Sequence, residues 1–115
     1  MLIALVRPVS ASIGRCQLSC VERSPLDLAR ARAQHADYCR TLTGHGLAVH
    51  ELPPADELPD AVFVEDTAVV LDEVAVITRP GADARRPEVA ATADALTAWR
   101  DRVWLDVPAT LDGGD

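Results

Sequence analysis

The chain has 115 residues, 49% of them hydrophobic and 25% charged, which excludes a disordered or fibrous segment and points to one soluble α/β domain. Its 11 Lys and Arg stand against 18 Asp and Glu, for a net charge of −7. That balance argues against nucleic acid, whose binding rests mainly on basic residues, and suits a cationic ligand better.

The first apolar run, residues 1–6, stops at Arg7-Pro8. It is far too short for a signal-peptide core or a membrane span, so it reads as a buried strand. Residues 9–23 form a polar, Ser-rich loop holding Gly14, Cys16 and Cys20, and a loop of that length often carries function. In Ser24-Pro25-Leu26-Asp27, Ser24 is an N-cap candidate, Pro25 suits the first helical position and Asp27 places an acid in the first turn. The helix is predicted to run to about Thr43. Ala29, Ala33, Ala36 and Leu42, with Leu28 and Cys39 alongside, form its half-buried face, and Gly44 or Gly46 closes it.

Residues 47–52 are the next predicted strand. Pro53, Pro54 and an acidic stretch to Pro59 make a loop, because proline fixes φ and lacks a donor. Three apolar blocks follow, Ala61-Val62-Phe63-Val64, Ala68-Val69-Val70-Leu71 and Val74-Ala75-Val76-Ile77, and their β-branched content favours strands. After a loop from Arg79 to Arg86, Pro87 opens a second helix with Val89, Ala93 and Leu96 on one face, ending near Arg102; residues 103–105 are a short strand. The order hints at two related αβ units. Separate domains are not indicated, and the closing Leu111-Asp112-Gly113-Gly114-Asp115 reads as a turn, so the expectation is a fragment of a larger domain.

Glu65 and Asp66 interrupt an apolar region, and charges buried there need partners. In a strand the two would face opposite sides; alternatively the strand ends at them. A carboxylate accepts parallel hydrogen bonds from a planar guanidinium, so a pocket acid can read an arginine-like ligand. An internal ion pair with Arg79, Arg85 or Arg86 would satisfy the same charge.

Leu58-Pro59-Asp60, Phe63-Val64-Glu65-Asp66, Ile77-Thr78-Arg79-Pro80-Gly81-Ala82, Arg85-Arg86 and Thr110-Leu111-Asp112-Gly113-Gly114-Asp115 stand in this order along the chain. Together with the helix segment Ala29-Arg30-Ala31-Arg32-Ala33-Gln34-His35, they resemble the dimethylarginine dimethylaminohydrolases from the first strand to the last residue. That family is similar to the arginine deiminases and amidinotransferases. The resemblance implies a pentein-like α/β propeller, of which this chain would supply about two of five αβ modules.

The implied reaction, without cofactor or metal, is attack of a cysteine thiolate on the guanidinium carbon of a methylated arginine. Dimethylamine or methylamine leaves, and the covalent adduct is hydrolysed to citrulline. Carried over by motif, Asp66 binds the guanidinium with Glu65 beside it, while Asp60 and the Leu18 backbone meet the α-amino end. Arg85 pairs with the α-carboxylate. Asp112 is the catalytic acid that supports the histidine and helps hold positive charge during attack; as a residue pattern alone, Asp112-Gly113-Gly114 could equally be a tight turn.

The family's histidine and nucleophilic cysteine match no position here, so this piece alone is expected to be inactive, with the remainder of the catalytic domain as its partner. Cys16 and Cys20 have no neighbour that would activate a nucleophile. Cys39 reads as a small core residue, and His35, His45 and His50 as structural or surface histidines. Three cysteines without a CxxC pair indicate neither a zinc knuckle nor a disulfide framework, so a cytoplasmic, non-membrane setting is the default expectation. Two alternatives stay open: another guanidino-modifying enzyme, such as an arginine or agmatine deiminase, and a standalone module that binds arginine-like ligands.

Overall fold

The computed structural model describes residues 1–16 and 25–115, and within them two strand–helix–strand motifs repeat. In the first, strand β1 (Ile3–Val6), helix α1 (Leu28–Gly44) and strand β2 (Ala48–Glu51) form a two-stranded parallel sheet with Ile3 opposite Ala48 and Val6 opposite Glu51. In the second, β4 (Val74–Ile77), α2 (Val89–Leu96) and β5 (Asp101–Trp104) repeat the parallel pairing. There β3 (Ala68–Val70) adds an antiparallel edge to give the order β3-β4-β5. Parallel pairing requires a crossover, and in both motifs the helix supplies it. The motifs lie in separate compact units, residues 1–62 and 63–115.

Helix α1 begins three residues later than Pro25. Its N-cap is Asp27, whose side chain accepts the Arg30 amide at 3.0 Å, so the acid foreseen in the first turn caps it instead. Pro25 lies outside the helix, and the cap candidate Ser24 lies outside the described residues. The buried face is also rotated. Leu28, Ala31, His35, Cys39 and Leu42 are half-buried, whereas Ala29, Ala33 and Ala36 are exposed. A methyl group buries too little area to steer a helix, and the two leucines, close to four turns apart, set the face. At the other end, the Leu47 amide reaches the Leu42 carbonyl and Gly46 sits at φ +86°, a left-handed close that glycine adopts without strain.

The block Ala61-Val62-Phe63-Val64 is not a strand. Residues Val64–Thr67 turn as a 3₁₀ helix, closed by the Asp66 amide on the Phe63 carbonyl at 3.2 Å and by Thr67 Oγ1 on the Val64 carbonyl at 2.6 Å. Of the other apolar blocks, 68–70 and 74–77 are strands as predicted. Pro87 lies inside a second 3₁₀ segment, Asp83–Glu88, and α2 follows it, ending at Leu96 rather than near Arg102. The Trp99 and Arg100 amides both close on the Leu96 carbonyl, which frees Asp101 to start β5. The face formed by Val89, Ala93 and Leu96 packs as predicted, with Thr92 buried beside it.

The core of the second unit centres on Ala75, Ile77, Ala93 and Leu96. That of the first holds Val6, Val9, Leu52, Ala55 and Ala61. Among the described residues, no helix is long and apolar enough to cross a membrane.

Candidate functional site

Three loops of the second unit meet at Asp66. The 3₁₀ turn Val64–Thr67 presents it, the segment Asp83–Glu88 brings Arg85, and the turn at residues 112–115 brings Gly113 and Gly114. The Asp66 carbonyl accepts the Gly113 amide at 2.9 Å and Thr78 Oγ1 at 2.7 Å. Its carboxylate accepts Arg85 Nη1 on Oδ2 at 2.7 Å and the Gly114 amide on Oδ1 at 3.2 Å. Backbone and side chain are therefore fixed separately.

The two glycines are required by this close approach. A Cβ on Gly113 would lie 2.7 Å from the Glu65 carbonyl oxygen and 2.9 Å from that of Ala68, and one on Gly114 would lie 2.6 Å from Asp66 Oδ1. All three distances are inside van der Waals contact, and the two at Gly113 are to backbone, so there only a residue without a side chain lets the 112–115 turn lie against the acidic turn.

Arg85 is itself held from behind. Glu88 accepts its Nε at 3.1 Å and its Nη2 at 2.9 Å, a fork-to-fork pair that fixes the guanidinium plane. Glu88 is 1% exposed and Arg85 9%. Burial alone would lower the Arg85 pKa, but hydrogen bonds and charge from Glu88 and Asp66 outweigh it and raise the value above that of ordinary arginine. The guanidinium carbon also lies 6.0 Å from the centre of the Phe63 ring, within cation–π range.

The sequence-predicted residues divide accordingly. Asp66 and Arg85 are in direct contact, and the internal ion pair that could satisfy the acid is formed with Arg85. Glu65 is exposed, with its Cγ next to the Gly114 position. Asp112 is half-buried and points its Oδ2 at the Gly81 amide, 3.5 Å away. Asp60 belongs to the first unit, where it is buried at 4% exposure. Leu18 and Cys20 lie outside the described residues. Cys16 is buried and Cys39 half-buried. The Cys39 thiol is pushed up, first by burial and then by the charge of Glu51. Glu88 was not foreseen. Its signal was the spacing Arg85-Arg86-Pro87-Glu88, which sets an arginine and an acid three positions apart on a helical turn.

In the first unit the polar contacts are of another kind. Ser10 and Ser12 donate their hydroxyls to the Asp56 carbonyl at 2.8 and 2.6 Å, and Asp56 Oδ1 accepts the Ala11 amide. Arg7 Nε donates to the Pro53 carbonyl at 2.8 Å. These bonds pin residues 7–12 to the proline-rich loop after β2. No group of three or more His, Cys, Asp or Glu side chains converges to hold a metal ion among the described residues.

No protein-family model matches the chain. It is 44% identical to an N(G),N(G)-dimethylarginine dimethylaminohydrolase of Streptomyces coelicolor, over 97% of its own length and 44% of that protein's. The crystal structure of a mutant Pseudomonas aeruginosa dimethylarginine dimethylaminohydrolase complexed with citrulline superposes with a TM-score of 0.86 at 30% identity, over 100% of this chain and 46% of that one. Unliganded AgrE superposes over 96% of this chain and 17% of its own, with a TM-score of 0.84 at 19% identity, which bears on the fold alone. The resemblance to the dimethylarginine dimethylaminohydrolase family thus extends over nearly the whole chain, and the fold class is α/β, pentein-like, as expected. The chain spans less than half the length of the Streptomyces relative.

Proposed function

We propose that this chain supplies the acidic half of the substrate pocket of a hydrolase that converts Nω-methylated arginines to citrulline. The observation that carries the reading is the Asp66 carboxylate, anchored on both oxygens within a chain that resembles the dimethylarginine dimethylaminohydrolases along its length. A carboxylate held in a fixed orientation can meet an incoming guanidinium without paying to be ordered.

In this reading Asp66 accepts hydrogen bonds from the substrate guanidinium, with Glu65 beside it. Asp112 supports the catalytic histidine. A cysteine thiolate attacks the guanidinium carbon, the methylated amine departs with a proton, and water then cleaves the thiouronium adduct to release citrulline and the thiolate. The histidine and the cysteine come from the remainder of a single catalytic domain, so the 115-residue chain by itself turns nothing over.

The test is release of citrulline from asymmetric dimethylarginine. A longer polypeptide carrying this chain is expected to show thiol-dependent release that Asp66→Asn abolishes, and the 115-residue chain to show none. Turnover by the short chain would overturn the assignment of the nucleophile to the remainder. Preference for arginine or agmatine in the long form would make it a deiminase instead.

A further inference from the structure

We propose that Glu88 is a positioning residue for Asp66, acting through Arg85. The inference deepens the reading of Asp66 as the guanidinium acid and rests on it for its functional meaning.

The geometry runs in one direction. Glu88 is almost completely buried at the junction of the 83–88 turn with α2, and its two oxygens take Nε and Nη2 of Arg85. A planar guanidinium gripped along that edge has little rotation left; Nη2 also reaches the Phe63 carbonyl, at a longer 3.4 Å, so the two-point grip of Glu88 is the main constraint on the direction of Nη1. Nη1 then lies 2.7 Å from Asp66 Oδ2, and the Gly114 amide reaches Oδ1 at 3.2 Å. Two donors from two different loops therefore define the plane of the Asp66 carboxylate. One of them is aimed by a residue that does not touch Asp66 in any of these bonds.

A carboxylate is required at position 88. Glutamine has nearly the same shape but would present an NH₂ group to one of the two arginine N–H groups. The fork would open and Nη1 would lose its direction, while the volume of the side chain is kept. A misplacement of about 1 Å at a reacting group can cost on the order of 10²-fold in rate, so an indirect effect on turnover is expected to be measurable.

The experiment has two arms. In the first, the Arg85 guanidinium is followed by ¹⁵N NMR in the 115-residue chain, with the backbone amide spectrum reporting the fold. Separate Nη signals, slow to exchange, are expected in the parent chain. They should merge in Glu88→Gln with the backbone spectrum preserved, and persist in Asp66→Asn, where the fork to Glu88 remains. Signals unchanged in Glu88→Gln, or lost in Asp66→Asn, would overturn the proposal. If Glu88→Gln does not fold, the Asp66→Asn result decides.

In the second arm, kcat/KM for asymmetric dimethylarginine is compared in the longer polypeptide for Glu88→Gln, Asp66→Asn and the double variant. Action through Asp66 predicts that the double variant is no slower than Asp66→Asn alone, whereas losses that multiply would show that Glu88 acts independently of Asp66 and overturn the proposal. Should Asp66→Asn leave turnover unchanged, the hydrolase reading of Asp66 fails, and the NMR arm still decides whether Glu88 fixes the Arg85 guanidinium that bonds to Asp66.

Discussion

The two compact units share a strand–helix–strand plan but are held together by different means. In the first, α1 runs for 17 residues without burying one of them, and the flanking loops are joined by hydrogen bonds from the Ser10 and Ser12 hydroxyls and the Arg7 guanidinium to carbonyl groups. In the second, α2 has only 8 residues but buries Thr92, Ala93 and Leu96, and next to it lies the ion network of Glu88, Arg85 and Asp66. Helix length is thus a poor guide to how much a helix contributes; what it covers matters more. Both units bury charged side chains, Arg7 and Asp60 in the first and Arg85 and Glu88 in the second; in the second the described bonds join two buried ions, and such a pair costs more to break than a bond to a carbonyl.

The contrast can be broken most directly at Arg85. Arg85→Met keeps the bulk of the side chain but leaves Glu88 without its fork partner, and a buried pair broken on one side costs about 3–5 kcal/mol. Urea unfolding should show that loss, and hydrogen exchange should place it first in residues 63–115. A loss below roughly 1 kcal/mol would mean that the network is not what secures the second unit.

A smaller effect is expected at the glycine turn. In Gly113→Ala the new methyl meets two backbone carbonyls, which cannot swing aside, so the penalty should be about 1–3 kcal/mol, as for other overpacked sites. Gly114→Ala should cost less, because the atom it meets first is the carboxylate oxygen of Asp66. The same order should appear in melting temperatures, and its reversal would show that the acidic turn yields more readily than the Asp66 side chain.

On the other side of the comparison, Asp27→Ala removes the cap of α1 and should cost about 1 kcal/mol. Circular dichroism and urea unfolding would measure it. A loss as large as that of Arg85→Met would place the stability of the first unit in its helix after all. The finest probe is Cys39. Burial, and then the charge of Glu51, raises its pKa, so the thiolate forms at a higher pH than in ordinary cysteine. Removing a nearby negative charge favours the thiolate, so in Glu51→Gln the midpoint of Cys39 alkylation, followed on its own peptide by mass spectrometry, should move down. An unmoved midpoint would leave burial as the whole cause.

The strands were legible where β-branched runs could pair locally, as in Val74-Ala75-Val76-Ile77. Ala61-Val62-Phe63-Val64 is likewise apolar throughout, but its conformation depends on partners distant in sequence. The Asp66 carbonyl is claimed by Thr78 and Gly113, and no local pattern records that. The face of α1 differs from the expected one because Ala29, Ala33 and Ala36 count the same as the two leucines in a spacing pattern, though the leucines bury far more area. In the site, Asp66 and Arg85 were both singled out, but their contact could only be named as one of several possible ion pairs, since Arg79, Arg85 and Arg86 stand within eight residues. Glu88 escaped notice because an acid near a helix start has many ordinary uses, and only its burial separates it from them.

The hydrogen bonds that Asp66 accepts have a further consequence. Two hold its carbonyl and two its carboxylate, so the socket and the group seated in it are secured independently. The side chain can be exchanged for a neutral or differently branched one while Thr78 and Gly113 keep the main chain in place. Position 66 is therefore a site where chemistry can be varied with the backbone geometry held constant, a separation that evolution or a designer can exploit.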